Sequence, residues 1–433
     1  MTTRQECARR DRDDPLAPLR DLFELPSDVI YLDGNSLGAL PKATAAHVQK
    51  VVNAQWGGDQ IRSWNTAGWI DLPQRVGNKI ARLVGANEGE LIVADSTSVN
   101  LYKALSAALN LVRANLVRTN SPGRRIIVSE RHNFPTDLYI AESLARERDF
   151  ELRLVDADEI PAQLDGELAV LMLTHVNYRD GRMHAMAELN RAAHAAGALV
   201  VWDLAHSAGA VPVNLNGNGP PEEAADFAVG CGYKYLNGGP GAPAFVWAHP
   251  KHTARMDALQ LWQPLSGWLG HAAPFEFTPN YRPAAGISRF NCGTPPVLSL
   301  AALECGVDTL LAAEALGGLP ALRRKSVALT ELFITLVEAR CRDHGLELRT
   351  PRDPHIRGSQ VSFSRADGSY PIMQALIARG VIGDFRAPDV LRFGFTPLYT
   401  RFADAWDAVE HLRQVLHSGE WREARFNQRA AVT

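Results

Sequence analysis

Cysteine is scarce in this chain: Cys7, Cys231, Cys292, Cys305 and Cys341 are the five in 433 residues, and no two form a CxxC pair. That spacing argues against a disulfide framework or a structural zinc site, and it suits a reducing compartment. Net charge is nearly absent too. Forty-five Lys and Arg stand against 48 Asp and Glu, a formal charge of -3, so nucleic acid and anionic membranes are poor candidates for the main partner. No run of about 18 apolar residues is present that would span a bilayer. The N-terminal stretch MTTRQECARRDRDDPLAPLR lacks the apolar core of a signal peptide. No internal repeat or low-complexity segment interrupts the chain. What remains, 46% hydrophobic and 21% charged residues, is the profile of a soluble, cytoplasmic globular protein. Its length suffices for a large α/β domain and a smaller one.

Between Leu91 and about Trp247, short apolar runs alternate with helical stretches. Strands are expected at Leu91–Ala94, Arg125–Ser129, Glu151–Val155, Ala169–Leu173, Leu199–Asp203, Phe227–Gly230 and Ala244–Trp247. Helices are expected at Val99–Val117, Thr136–Arg148 and Met186–Ala196. Continuously apolar strands separated by helices indicate an α/β fold with a mainly parallel sheet buried on both faces. After Pro295-Pro296 the texture changes to two long helical patterns, short strands near Gln360–Ser364 and Val390–Phe395, and a last helix. The expected division is an N-terminal segment (1–60) packing with the small domain, a large domain (61–298) and a small α+β domain (299–433).

Asp203 closes the apolar run Val200-Val201-Trp202. An acid there sits at the carboxyl edge of a parallel sheet, where open α/β folds bind ligands. It can keep a proton on a pyridine nitrogen, although Asp also caps helices. Lys234 follows in Gly232-Tyr233-Lys234-Tyr235, just past another strand and before a glycine-rich turn, Gly238-Gly239-Pro240-Gly241. Partial desolvation between aromatics favours the free amine that attacks an aldehyde. Together Asp203 and Lys234 point to pyridoxal phosphate. Thr97 and Ser98 join the first strand to its helix, where hydroxyls and free N–H groups make an anion site or an ordinary cap. In His132–Asp137, Phe134 is placed to stack on a flat ring and Asp137 to reach polar groups; a Pro-initiated helix with a hydrophobic staple reads equally well. Arg392, in an apolar strand, needs an anionic partner, either a substrate carboxylate or an internal acid.

These pieces resemble the aspartate-aminotransferase fold (fold type I) of pyridoxal-phosphate enzymes and, within it, the kynureninase family. The likeness runs through Tyr31–Gly38 (YLDGNSLG), Gly57–Trp69, Asp95–Lys103, His132–Asp137, Asp203–Gly209, Gly232–Gly241, Gly267–His271, Cys292–Pro296 and Arg392–Tyr399. It implies that Lys234 holds pyridoxal 5'-phosphate as a Schiff base and then acts as base at Cα, with Tyr233 managing later protons. Asp203 would partner the ring nitrogen with His206 beside it. Thr97, Ser98, Tyr233, Trp268 and Thr294 would lie at or near the phosphate, Phe134 would stack on the ring, and Asp137 and Thr174 would stand near it. Arg392 would anchor the substrate carboxylate, with Asn35, Ser36 and Trp64 also on the substrate. The implied reaction is hydrolysis of L-kynurenine to anthranilate and L-alanine by a homodimer with shared sites. An aminotransferase would use the same Lys and Asp. A cysteine desulfurase needs a nucleophilic Cys on a mobile loop, and Cys341 falls in a helical pattern instead.

Overall fold

The computed structural model describes residues 2–119 and 123–428. Seven strands form its main sheet: β1 (Leu91–Val93), β2 (Ile126–Glu130), β3 (Glu151–Val155), β4 (Leu168–Thr174), β5 (Leu199–Asp203), β6 (Phe227–Gly230) and β7 (Phe245–Ala248). Their order is β1-β7-β6-β5-β4-β2-β3. Strands β2 to β6 pair parallel, whereas β7 runs antiparallel to both neighbours. Every residue of β4 (LAVLMLT) is buried, as a strand covered on both faces requires. The helices that cover the sheet include α1 (Thr97–Thr119), α2 (Pro135–Arg148) and α3 (Met186–Ala195). Helix α2 starts at a proline, whose missing N–H would lack a partner there anyway, and stops at Asp149 in the left-handed region.

A second, antiparallel sheet has the order β8-β9-β11-β10, from β8 (Glu347–Leu348), β9 (Gln360–Ser364), β10 (Asp384–Arg386) and β11 (Val390–Gly394). Helices α5 (Gly318–Arg340) and α6 (Phe402–Ser418) back it. Phe333 of α5 packs its ring against Phe363, Phe393 and Phe395.

Two details depart from the expected division. Helix α4 (Val297–Leu311), expected to open the small domain, buries Leu300, Leu303, Val307 and Leu310 in the core of the large sheet. Its apolar face finds that sheet's helices before the chain turns away at Gly317. The N-terminal segment is split between the two cores: Cys7 and Leu32 enter the smaller one, and Leu16, Leu19 and Phe23 the larger. Ile30–Tyr31 pairs with Val381–Ile382, and Asp33 bridges to Gly394. This draws the loop Asp33–Gly38 across the junction, where Gly38 N–H donates to the Tyr233 carbonyl at 2.8 Å. A Cβ on Gly38 would stand 2.5 Å from the Lys234 carbonyl oxygen, so only glycine fits there.

All five cysteines are unpaired. Among the described residues no helix is long and apolar enough to cross a membrane.

Candidate active site

Parallel strands bring their carboxyl ends to one edge, and the chemistry collects there. Thr174 and Asp203 end adjacent strands and are paired in register. Lys234 follows β6, Phe134 follows β2, and Thr97 and Ser98 follow β1. One cleft is lined by Thr97, Ser98, Phe134, Thr136, Asp137, Thr174, Tyr178, Asp203, Ala205, His206, Tyr233 and Lys234. Nine of the residues expected at the site therefore come together from five separate segments.

Within the cleft, Lys234 Nζ lies 2.9 Å from His206 Nε2. Burial and the Lys234 charge hold His206 far below its ordinary pKa, so its imidazole is neutral. Its Nδ1 is buried and without a partner. Asp203 Oδ1 accepts from the Ala205 N–H at 2.8 Å. Burial raises the Asp203 carboxyl, and the Lys234 charge opposes that rise. Asp137 rises further, through burial first and then the Asp203 charge. The two carboxyls share a hydrogen bond, and Asp137, the more strongly raised, is the better holder of a proton. Its Oδ2 is buried without a partner. Thr174 Oγ1 donates to Asn133 Oδ1. Burial pushes the Tyr233 phenol upward, so it stays protonated at neutral pH.

Ser96 caps α1: its carbonyl accepts from the Asn100 N–H at 2.9 Å and its Oγ from the Val99 N–H at 3.4 Å. The N–H groups at the start of this helix border the cleft and suit an anion. Phe134 is 43% exposed, with its ring against the edge of Tyr178 at 5.3 Å. These features fit pyridoxal phosphate: an anion cup, an uncovered aromatic face, a buried acid for a ring nitrogen, an amine, and two orphaned buried polar atoms, Asp137 Oδ2 and His206 Nδ1.

The remaining expected residues lie elsewhere. Arg392 is 1% exposed and packed into the protein. It donates to the Tyr178 carbonyl at 2.7 Å, to Ser36 Oγ at 2.8 Å and to Asp384 Oδ2. With the Asn35 amide turned so that its oxygen faces the guanidinium, Arg392 Nε also donates to it at 3.0 Å. The internal-acid reading of this arginine thus has its partner in Asp384. Asn35 and Ser36 are gathered around Arg392, not on the cleft wall. Burial and the neighbouring Asp384 charge push the Asp33 carboxyl up to about 7.

Trp64, Trp268 and Thr294 are outside the cleft. The Trp64 ring meets Trp69 and Trp268, each at 6.4 Å. Trp268 also meets Phe275 and Phe277. Thr294 lines an apolar groove of about 630 Å³ with Trp56, Trp69 and Leu298.

Reading by sequence alone missed Tyr178, Thr136 and Ala205 in the lining. Tyr178 stands in the same LTHVNYRDG run as Thr174, and an aromatic four residues past a strand-end threonine was the available signal. Cys341 caps the end of α5, buried, with its thiol pushed up to about 11 by that burial. This is the opposite of the exposed thiolate a desulfurase uses.

Comparison with known proteins agrees with this geometry. A class-V aminotransferase model matches residues 30–340, and a kynureninase C-terminal domain model matches residues 322–412. A kynureninase from Burkholderia pseudomallei (strain K96243) is 56% identical over 436 residues and covers 100% of both chains. A kynureninase from Pseudomonas fluorescens is 54% identical, again over 100% of both. Among solved structures, a cysteine desulfurase from Thermococcus onnurineus NA1 superposes with a TM-score of 0.74 at 17% identity, covering 93% of this chain and 98% of that one. A cysteine desulfurase from Escherichia coli gives 0.73 at 18%, covering 93% and 98%. The desulfurase likeness is one of fold, while the end-to-end sequence matches carry the family: the chain belongs to the kynureninase family, on the class-V aminotransferase fold.

Proposed function

We propose that this protein hydrolyses L-kynurenine to anthranilate and L-alanine, using pyridoxal 5'-phosphate held at Lys234. The observation that carries the reading is the meeting of Lys234, Asp203 and the Thr97–Ser98 helix start in one cleft. The full-length match to kynureninases supports it. When bound, pyridoxal phosphate supplies the electron sink for bond-breaking at Cα and Cβ.

The protein's own groups supply the rest. Thr97, Ser98 and the α1 N–H groups would hold the phosphate end, and Phe134 would stack on the ring. Asp203 would hold a proton on the ring nitrogen, with Asp137 hydrogen-bonded to its carboxyl and Thr174 beside both. Lys234 would hold the cofactor and, as the free amine, would remove the Cα proton of the substrate. The neutral His206, 2.9 Å away, orients Lys234 Nζ. Tyr233, protonated at neutral pH, is the acid for the later proton steps. Water adds to the side-chain ketone, and the Cβ–Cγ bond breaks to release anthranilate and alanine. Arg392, with Asn35 and Ser36, serves the substrate carboxylate. Release of anthranilate from L-kynurenine, without consumption of a keto acid, distinguishes the hydrolase from an aminotransferase.

Trp64 and the Gly293-Thr294 pair set the preference for the aryl ring. An indole offers a ring hydroxyl one N–H at most and no acceptor, and leaving the hydroxyl's proton unpaired costs on the order of 1–3 kcal/mol. The kcat/KM for L-kynurenine is therefore expected to exceed that for 3-hydroxykynurenine by about tenfold. A ratio favouring the hydroxylated compound in parallel assays would refute this.

The working form is a cytoplasmic homodimer with shared sites. The support is the set of exposed apolar side chains Phe277, Ile61, Phe275 and Trp56, at 77%, 75%, 62% and 57%. A patch of that kind normally meets a partner. Trp268 and Thr294 lie beside this face, and in the dimer they approach the cleft of the partner subunit. Phe277→Glu is expected to weaken dimerisation by about thirtyfold or more and to lower activity in step. Sedimentation velocity across a concentration series reads the first effect, and an unchanged dimer would count against this face.

A further inference from the structure

The turn that presents Thr97 and Ser98 is held from behind. Asp95, the residue before the Ser96 cap, sits at φ 49°, in the left-handed region that a residue with a side chain rarely adopts. Conformations of that kind persist at functional sites only where the surroundings impose them. Three contacts do so here. The Ala244 N–H donates to the Asp95 carbonyl at 2.8 Å, Asn100 Nδ2 donates to the Ala94 carbonyl at 2.6 Å, and Lys103 Nζ donates to Asp95 Oδ2 at 2.8 Å.

Lys103 lies on α1, two turns beyond Ser96. Side chains on a helix lean toward its N-terminus, which lets the lysine reach back to the turn. Its side chain is fully buried, whereas that of Asp95 is 30% exposed. A second bond, at 2.6 Å to the Phe290 carbonyl, fixes the ammonium from the other side. Neither Lys103 nor Asp95 lines the cleft, so neither touches a ligand there. Their charges still matter to one. A bare carboxylate two residues before Thr97 would repel a phosphate seated on the α1 N–H groups, and a paired one repels it far less.

We propose that Lys103 is a positioning residue for the cofactor phosphate: it masks the Asp95 charge and pins the Asp95 turn, so that the Thr97–Ser98 helix start accepts a phosphate. The inference rests on the reading that pyridoxal 5'-phosphate binds in this cleft with its phosphate at the start of α1. It gives the protein a preference for a phosphorylated ligand through an ion pair that contacts no ligand atom.

The test titrates the full-length protein, freed of cofactor with hydroxylamine, with pyridoxal 5'-phosphate and with pyridoxal, which lacks the phosphate. Absorbance of the lysine-bound cofactor reads binding, and thermal melting checks that each variant is folded. Lys103→Gln is expected to weaken pyridoxal 5'-phosphate by about tenfold or more and pyridoxal by less than about twofold. Asp95→Asn keeps an acceptor for Lys103 and tolerates the same backbone region, so it is expected to bind the phosphorylated form at least as tightly as the parent. Added to Lys103→Gln, it removes the unmasked carboxylate and is expected to restore part of the lost affinity, a rescue that a merely structural defect would not show. Equal weakening of both ligands in Lys103→Gln, or of neither, overturns the proposal, as does a double variant no better than Lys103→Gln alone. Should Lys103→Gln not fold, Asp95→Val decides, because a β-branched residue resists the left-handed region. A selective loss of phosphate affinity there supports the proposal, and an unchanged preference overturns it. A parent that binds both aldehydes equally overturns the phosphate seat itself, whereas a parent and a Lys103→Gln variant with the same phosphate preference overturn only the Lys103 role. No step uses kynurenine, so the hydrolase reading stands or falls separately.

Discussion

Replacing Lys234 by alanine is expected to reduce anthranilate formation by about 10³-fold or more and to abolish the absorbance of the lysine-bound cofactor. A positioned general base alone contributes on the order of 10²–10⁴-fold, and here the same amine is also the covalent tether. The cleft offers no substitute close by. His206 Nε2 is 2.9 Å from Lys234 Nζ, but burial and the Lys234 charge depress the imidazole so far that it is a weak base. Removing the ammonium charge relieves one of those two causes and leaves the larger, burial, in place. The α1 N-terminus and Asp203 are untouched, so the variant should still take up the cofactor without the covalent bond. A dialysed Lys234→Ala protein with more than about 1% of the parental rate would exclude Lys234 as the base.

Asp203→Asn is expected to lower kcat by about 10²-fold or more while the protein stays folded and keeps its cofactor. Asparagine fills the same space and can still accept the Ala205 N–H, a bond of 2.8 Å in the parent. It carries no charge to hold a proton on a ring nitrogen. Removing a fixed group that stabilises developing charge in a buried site costs about 3–4 kcal/mol. The substitution also removes the second-ranked cause of the Asp137 shift, the Asp203 charge, so Asp137 becomes easier to ionise. Asp203→Glu, which keeps the charge, is expected to recover part of the rate. Parental kcat in Asp203→Asn would remove the carboxylate from the mechanism.

Much of the cofactor cleft was legible in the linear order of residues. Each of Thr97, Phe134, Thr174, Asp203 and Lys234 lies at or just after an apolar run bounded by helix or turn signals. In a parallel sheet the carboxyl ends of the strands share one edge. Local periodicity therefore implied the meeting place before any contact was visible. Element boundaries were legible to within a few residues for the same reason, since strands such as Phe227–Gly230 and Leu199–Asp203 are buried and sharply bounded.

What the linear order did not carry were the placements set by pairing between distant segments. Arg392 looked like a carboxylate anchor because a lone arginine in an apolar strand needs an anion. That Asp384 stands against its guanidinium depends on the antiparallel register of two strands, and a shift of one residue would turn either side chain to the other face. Helix α4 was assigned by its position after a Pro-Pro pair, yet its apolar face belongs to the larger core. Trp64, Trp268 and Thr294 were grouped with the site by family likeness, whereas within one chain they border an exposed apolar face.

By itself, then, the sequence determined the α/β class, the strand-end chemistry around Lys234 and Asp203, and the family, because each rests on local patterns of burial and residue type. Only the tertiary structure decided the arrangement around Arg392 and the segregation of the aromatic face. Those depend on register and on solvent exposure, which are properties of the packed chain rather than of the order of its residues.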